Sequence, residues 1–185
     1  MRDFINAGHK IGVDSGAVNK TLGVTEAEIT LKISEQVQKY LKAIGHNVYV
    51  LQSDNLCGET PTDVNITETA NDWGADLFVS IHCNAFNGTV RGIETCAYSE
   101  YSKGYKLAEC IQSQLVGSLH KIDNNIPDRG VKIRKDLAVL KYTNMPAVLV
   151  EVAFIDNEKD VKLLMNNQDD IARAIARGIT DYLLK

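Results

Sequence analysis

The chain has 185 residues, of which 44% are hydrophobic and 24% charged, and its formal net charge at pH 7 is -4. This length allows one domain with a sizeable core, and the composition is ordinary for a globular protein. The acidic balance argues against a nucleic-acid binder, and no stretch reaches the roughly 18 apolar residues that a transmembrane helix needs.

The first segment, MRDFINAGHK, lacks the apolar core of a signal peptide. If Met1 is the natural start, the sequence predicts a protein that is made in the cytoplasm and is not exported by that route. A catalytic domain trimmed from a longer chain would give the same pattern, so this expectation is conditional.

Four cysteines, Cys57, Cys83, Cys96 and Cys110, form no C-x-x-C pair. We therefore expect free thiols rather than a cysteine-rich zinc site, and a disulfide framework is the weaker alternative. Because successive side chains of a strand point to opposite faces, Cys83 should point away from a site that includes His82.

The first half of the chain alternates strand-like and helical segments. A helix is predicted from Glu26 to Gly45, because apolar residues recur there every three or four positions and a glycine ends the pattern. The other segments, in chain order, are a strand at RDFINAG, a Gly-rich loop at GHKIGVDSGAVNKTLGV, a strand at HNVYVL, a polar loop at QSDNLCGETPTD, a helix through VNITETANDW and a strand at ADLFVSI.

The second half contains two more amphipathic helices, one with Leu107, Ile111 and Leu115 on its apolar stripe and a terminal one with Ile171 and Ile179. Between and before them we predict a strand at RGIETCAYS, a loop at DNNIPDRGVKIRKD, and strands at LAVLKY and PAVLVEVAFI. This alternation predicts a single-domain α/β fold, with a mostly parallel mixed sheet and helices on both faces.

Residues that can bind a metal or a proton follow three of the predicted strands. His9 comes just after the first strand, His82 ends LFVSI, and Glu151 follows PAVLV. Ligands of open α/β sheets bind beyond the carboxyl ends of the strands. Three such residues at one edge of the sheet predict a functional site there.

Glu26 joins this group because of its place on the first helix. It lies on the same helix face as Ile29, Ile33 and Val37, whereas Glu28 lies on the opposite, polar face. Burying an unpaired carboxylate costs several kcal/mol. We therefore expect Glu26 to be buried against a partner and Glu28 to be solvated.

Two imidazoles and one carboxylate form a common ligand set for catalytic zinc, and a further carboxylate can serve as general base. His9, Glu26 and His82 suit the ligand roles, and Glu151 suits the base. Each residue alone also has an ordinary explanation: a hydrogen-bonded loop histidine, a glutamate placed for the helix dipole, or a glutamate paired with a basic residue.

The remaining histidines and the Gly-rich loop are interpreted as structural. His46 directly follows a helix-ending glycine, and His120 lies near a helix C-terminus, where a cation is favoured. The loop contains neither of the glycine motifs that bind phosphate in dinucleotide-binding folds and P-loops.

Several segments, in order, resemble the motifs of the zinc-dependent N-acetylmuramoyl-L-alanine amidases of the amidase-3 family. They are NAGHKIGVDSGA, VTEAEITLKI, ADLFVSIHCNA, DRGVK and PAVLVEVAFIDNEKD, and SIHCNA and LVEVAFIDNEKD are the most specific. The likeness covers nearly the whole chain and implies one catalytic domain, residues 1–185. The chain departs from the pattern at Lys10 and Ile11, where many relatives have glycines, and at Ile66, where an arginine is common.

The resemblance implies one zinc ion per chain and hydrolysis of the amide that joins the lactyl group of N-acetylmuramic acid to L-alanine in peptidoglycan. The residues that match the family's pattern are the zinc ligands His9, Glu26 and His82, the catalytic Glu151, and the substrate-binding candidates Asn84 and Arg129.

Two other functions stay open on the sequence: a zinc peptidase that cuts within the stem peptide, and a wall-binding module without catalysis. The expected partner is peptidoglycan, with no nucleic acid and no transmembrane segment, and the expected state is a monomer. An endolysin or autolysin of this kind would act on the cell wall after release or lysis.

Overall fold

The computed structural model describes residues 1–185. The strands are β1 (Arg2–Ala7), β2 (Val18–Asn19), β3 (Val24–Thr25), β4 (Asn47–Gln52), β5 (Leu77–Asn84), β6 (Ile93–Ala97), β7 (Asp128–Ile133) and β8 (Ala147–Phe154). The helices are α1 (Glu26–Ala43), α2 (Ile66–Asp72), α3 (Lys103–Leu119), α4 (Ala138–Lys141), α5 (Glu158–Asn166) and α6 (Gln168–Leu183). None of the helices is both long and apolar enough to cross a bilayer.

Six strands form the central sheet, in the order β4-β1-β5-β8-β6-β7. β1 pairs in parallel with β4 and β5, and β5 pairs in parallel with β8. β6 is antiparallel to β8 and parallel to β7, so the sheet is mixed. The predicted α/β fold with a mostly parallel mixed sheet is confirmed.

Helices cover both faces of the sheet, as predicted, and divide the core in two. The larger cluster joins strand residues such as Ile5 and Val150 to the apolar stripes of α1, α3 and α6. The smaller cluster lies under α2 and α4, where Phe4 stacks on Phe78 with ring centroids 5.6 Å apart.

Two segments of the second half differ from the prediction. LAVLKY is not a strand, because residues Ala138–Lys141 form the short helix α4 with Val139 and Leu140 buried. A short apolar run carries no periodicity that separates a strand from a buried helical turn. The loop predicted at DNNIPDRGVKIRKD contains the edge strand β7, whose residues are all partly or fully exposed and therefore lack an apolar pattern.

Three further elements were missing from the prediction. The Gly-rich loop contains the two-residue strands β2 and β3, which pair as a small antiparallel ladder. The chain after β8 folds into two helices rather than one, because α5 ends at Asn166 and α6 begins at Gln168. Strands of two residues and a helix of nine are too short for a hydrophobic period to mark their ends.

Candidate active site

His9 lies in the turn after β1 and has an unusual backbone. Its φ of 62° makes it the one non-glycine residue of the chain in the left-handed region, which costs an L-residue about 1 kcal/mol. The ring is held from both sides, with Nδ1 2.5 Å from Asp14 Oδ2 and Nε2 3.2 Å from Glu26 Oε2. Such strain persists where surrounding contacts impose it, and functional sites are the usual places.

Glu26 is the first residue of α1 and is 3% exposed, as the helix pattern predicted. Its Oε1 accepts a hydrogen bond from the Cys83 amide at 2.9 Å and lies 3.0 Å from His82 Nδ1. Its Oε2 accepts a hydrogen bond from the Ala17 amide at 3.0 Å. Glu28, by contrast, is exposed and completes the capping box at the start of α1.

His82 lies near the carboxyl end of β5, beside the turn that carries His9. A Cβ at Gly8 would come within 2.6 Å of His82 Cε1, so the ring occupies space that only glycine leaves free. The two imidazole rings meet edge to face, with centroids 5.1 Å apart. This close approach of the first and central strands places both rings against the same carboxylate.

His9, Glu26 and His82 together form a group suited to a metal ion. Each offers one ligand atom, and these atoms all lie within 4.8 Å of one another. Two imidazole nitrogens and one carboxylate oxygen, with a fourth direction left for water, are the donor set of catalytic zinc. The residues present therefore fit a zinc ion.

The charges of this group depend on one another. Burial disfavours the charged form of His9, but hydrogen bonds and charge from Glu26 and Asp14 outweigh it and raise the pKa of His9 to about 9. Burial likewise acts against ionised Glu26, yet His82 and His9 hold its pKa well below the usual value. The carboxylates of Glu26 and Asp14 thus favour the protonated form of the His9 ring.

Glu151 lies on β8 next to this group, and its Cα is paired with His82 on β5 and with Glu94 on β6. Burial, assisted by the charges of Glu26 and Glu94 and opposed by His82 and Arg134, raises the pKa of Glu151 to about 7. Its Oε2 is buried without a hydrogen-bond partner in the protein. A carboxylate of this pKa with an unused acceptor suits a general base near neutral pH.

A family model described as N-acetylmuramoyl-L-alanine amidase matches residues 4–181. The chain belongs to this amidase family. The predicted family is therefore confirmed, and with it the predicted class of enzyme, a hydrolase that acts on an amide bond. Family members are generally zinc-dependent, which agrees with the donor set of the His9, Glu26 and His82 group.

Named relatives support the assignment to this amidase family. The chain is 36% identical over 184 residues to the N-acetylmuramoyl-L-alanine amidase LytC of Bacillus subtilis (strain 168), covering 97% of this chain and 35% of LytC. It is also 36% identical over 184 residues to the endolysin of Bacillus phage SPP1, covering 97% of this chain and 65% of the endolysin. The chain thus spans about a third of the length of LytC and just under two thirds of that endolysin.

A solved amidase structure has a fold similar to that of this chain. The N-acetylmuramoyl-L-alanine amidase AmiC2 of Nostoc punctiforme superposes with a TM-score of 0.85 at 30% sequence identity. The match covers 100% of this chain and 98% of the AmiC2 chain. The sheet and helices described above are therefore those of a solved amidase.

The sequence analysis missed two polar residues that lie beside the candidate ligand group: Asp14, which contacts His9, and Glu94. Glu94 contacts two other predicted residues. Its Oε1 accepts a hydrogen bond from Asn84 Nδ2 at 3.1 Å, and its Oε2 accepts one from Arg129 Nε at 2.7 Å. The structure thus brings the two predicted substrate-binding residues, Asn84 and Arg129, onto one carboxylate next to Glu151. The available signal was a lone glutamate inside the buried strand run GIETC.

The other candidate residues lie outside the site, as expected. His46 Nδ1 pairs with Asp3, and His120 Nε2 lies 2.9 Å from the carbonyl oxygen of Ile126. Cys83 is buried in the larger core cluster, on the sheet face opposite His82. All four cysteines are free thiols, and Cys57 alone is exposed.

Proposed function

We propose that residues 1–185 form a zinc-dependent catalytic domain that hydrolyses the amide between N-acetylmuramic acid and L-alanine in peptidoglycan. The observation that carries this proposal is the convergence of His9, Glu26 and His82 within 4.8 Å, beside Glu151, in a chain of the amidase family. In this proposal the first three residues hold one zinc ion per chain, and Glu151 acts on the substrate.

A zinc ion held there would lower the pKa of a water molecule to about 7 and polarise a carbonyl oxygen. His9 and His82 would each present one ring nitrogen, and Asp14 would orient His9 through its other nitrogen, 2.5 Å away. Glu26, held by the amides of Ala17 and Cys83, would supply the carboxylate oxygen from a rigid position.

Glu151 would carry the proton through the reaction. One oxygen of its carboxylate accepts a proton from water as the water oxygen bonds to the lactyl carbonyl carbon. The same oxygen then donates that proton to the alanine nitrogen as the carbon–nitrogen bond breaks. The products are the lactyl carboxylic acid and a free alanine amine, and the proton of the acid then passes to the amine to give a carboxylate and an ammonium group.

Product analysis on purified peptidoglycan tests the bond that is cut. We expect new L-alanine amino termini without new reducing sugar ends, loss of release with a chelator, and recovery with zinc. New amino termini elsewhere in the stem would identify a peptidase instead. Binding to the wall without turnover would identify a binding module.

Replacing the base tests the role of Glu151. Glu151→Gln should fold and hold zinc as the unmodified chain does, but its rate should fall about 10²- to 10⁴-fold, the usual contribution of a general base. Glu35→Gln, an exposed glutamate of α1, is the matched control and should keep full activity. Loss of zinc from Glu151→Gln, measured by atomic absorption, would place Glu151 among the ligands and contradict this assignment.

Peptidoglycan as the substrate implies that the domain acts at the cell wall, and we propose that it does so as a monomer. Relatives that are named as an amidase and as an endolysin support action at the cell wall. Light scattering coupled to size-exclusion chromatography tests the monomer, and a mass of twice 20.4 kDa would contradict it.

A further inference from the structure

Polar residues lie side by side on three neighbouring strands: Glu151 on β8, Glu94 on β6 and Arg129 on β7. Glu94 on β6 is paired with Glu151 on one side and with Gly130 on β7 on the other. The register shifts between Ile93 and Glu94, and this irregularity leaves Arg129 without a paired residue next to Gly130. Arg129 therefore lies at the same edge as Glu151, across two strands.

Contacts on several sides hold the Arg129 side chain in place. Its Nε donates to Glu94 Oε2 at 2.7 Å, and its guanidinium carbon lies 5.2 Å from the ring centroid of Phe154. A Cβ at Gly92 would come within 2.8 Å of Arg129 Cδ, so glycine leaves the room that this side chain occupies. A guanidinium held in this way loses little further freedom when it binds a ligand.

The end of the guanidinium group is left free by these contacts. Nε is the one Arg129 nitrogen that bonds the protein, and the side chain remains 34% exposed. The other oxygen of Glu94 accepts a hydrogen bond from Asn84. Glu94 therefore fixes the orientation of Arg129 through Nε and does not bond the two terminal nitrogens of the guanidinium group. The nearby Arg134 differs, because Nε and Nη2 both bond Asp136, at 2.9 and 2.8 Å.

We propose that Arg129 binds a carboxylate on the peptide part of the substrate, on the residue that follows the alanine at the scissile amide. This inference rests on the proposed function. A planar pair of free guanidinium nitrogens matches a carboxylate, with two parallel hydrogen bonds. Glu94 is the positioning residue for this contact.

The spacing supports that position along the peptide. Adjacent strands lie about 4.8 Å apart, so the backbone of β7 lies roughly 10 Å from that of β8 at Glu151. Two residues of extended peptide span about 7 Å. The Arg129 side chain extends from β7 toward β8 and covers the rest of the roughly 10 Å between these strands. A carboxylate on the residue directly after alanine therefore comes within reach of the guanidinium group.

The test compares two soluble N-acetylmuramoyl-L-alanyl peptides that differ only at the next residue, which carries a free carboxylate in one and a carboxamide in the other. The zinc-loaded chain should cleave the carboxylate peptide with a kcat/KM about tenfold higher, the effect of one charge-assisted contact. Arg129→Gln should cleave the two peptides at equal rates, whereas the control Arg134→Gln should keep the preference.

A binding measurement separates recognition from turnover. The uncut peptides are titrated calorimetrically into Glu151→Gln, with and without Arg129→Gln, and the preference of about tenfold should appear in Kd only when Arg129 is present. Equal cleavage and equal binding of both peptides by the chain with Arg129 would overturn the inference and leave the proposed function intact. Cleavage of neither peptide, with no release from peptidoglycan, would instead contradict the proposed function.

Discussion

Single contacts determine how the polar groups of the site are oriented. Asp14 Oδ1 accepts a hydrogen bond from the Gly16 amide at 2.9 Å, which fixes the carboxylate that holds His9. Asp14 lies only five residues after His9, so the pair belongs to one turn. Carboxylates that hold the outer nitrogen of a ligating histidine orient the ring and make it a stronger base. Asp14 thus fixes the orientation of the candidate ligand His9, although sequence reasoning gave it no role.

The proton on His9 should make zinc binding depend on pH. Its pKa of about 9 means that the ring is protonated at neutral pH, whereas a zinc ligand must be unprotonated. Zinc binding at pH 7.5 should therefore release about one proton, and zinc affinity should rise with pH until His9 has titrated. Calorimetry in buffers of different ionisation enthalpy measures this release.

The control for this titration is His120→Gln, because His120 is not part of the group and contacts the backbone carbonyl of Ile126, so the change should leave proton release as it is. Asp14→Asn removes one of the contacts that raise the pKa of His9 and should reduce the release at pH 7.5. Zinc binding that released no proton at pH 7.5 would contradict the linkage.

The start of α5, which follows β8, is joined by hydrogen bonds to the loop between β5 and β6. Asp160 is fully buried and accepts hydrogen bonds from Arg91 Nε at 2.6 Å and from the amides of Gly92 and Phe154. Asn157 caps α5 and donates to the carbonyl oxygen of Gly88 at 3.0 Å. The motif FIDNEKD therefore anchors the loop that follows β5. Its role is structural, although it was among the most specific signals of the family.

Removing the buried carboxylate should loosen this junction. Asp160→Ala leaves Arg91, only 14% exposed, with Asp123 as its remaining partner, and it strips two buried amides of their acceptor. Breaking a buried pair in this way costs about 3–5 kcal/mol of unfolding free energy. Urea denaturation followed by circular dichroism measures the loss.

The matched control for this variant is Asp169→Ala, which removes a half-exposed carboxylate from the pair that it forms with Arg173 at the start of α6. Pairs of that kind contribute about 0–1 kcal/mol, so the control should unfold near the unmodified chain. Equal losses for the two variants would show that the Asp160 junction is not what stabilises the fold.

The whole molecule brings the candidate ligands together from distant parts of the chain. His9, Glu26 and His82 come from the turn after β1, the start of α1 and the end of β5. β1, β5 and β8 run in parallel, so their carboxyl ends reach the same edge, and β6 arrives from the opposite direction with Glu94. The complete ligand group therefore exists only in the folded chain.

Zinc should for that reason stabilise the native state. A ligand at 1,000 times its Kd that binds only the folded form adds about 4 kcal/mol to the unfolding free energy, so the Tm should rise with zinc and fall back with a chelator. His82→Ala should lose this zinc-dependent shift, and His120→Gln should retain it. Differential scanning calorimetry gives both values, and a shift that survives in His82→Ala would mean that zinc is bound elsewhere.

Most of the fold was predictable from the sequence, and so was the proximity of four candidate site residues, His9, Glu26, His82 and Glu151. β1, β5 and β8 and the helices α1, α3 and α6 are buried on at least one face, so their hydrophobic period is visible in the chain. A charged residue at the end of a buried run stands out for the same reason, as His82 and Glu151 do.

Only the tertiary structure decided the rest, because it depends on contacts between distant residues. The edge strand β7 has one neighbour and the helix α4 is a single turn, so neither carries a hydrophobic pattern. Arg91 and Asp160 pair across 69 positions, and Arg129 meets Glu94 across 35. No local spacing encodes such pairs, since the sheet order and the register of β6 between β8 and β7 bring these groups together.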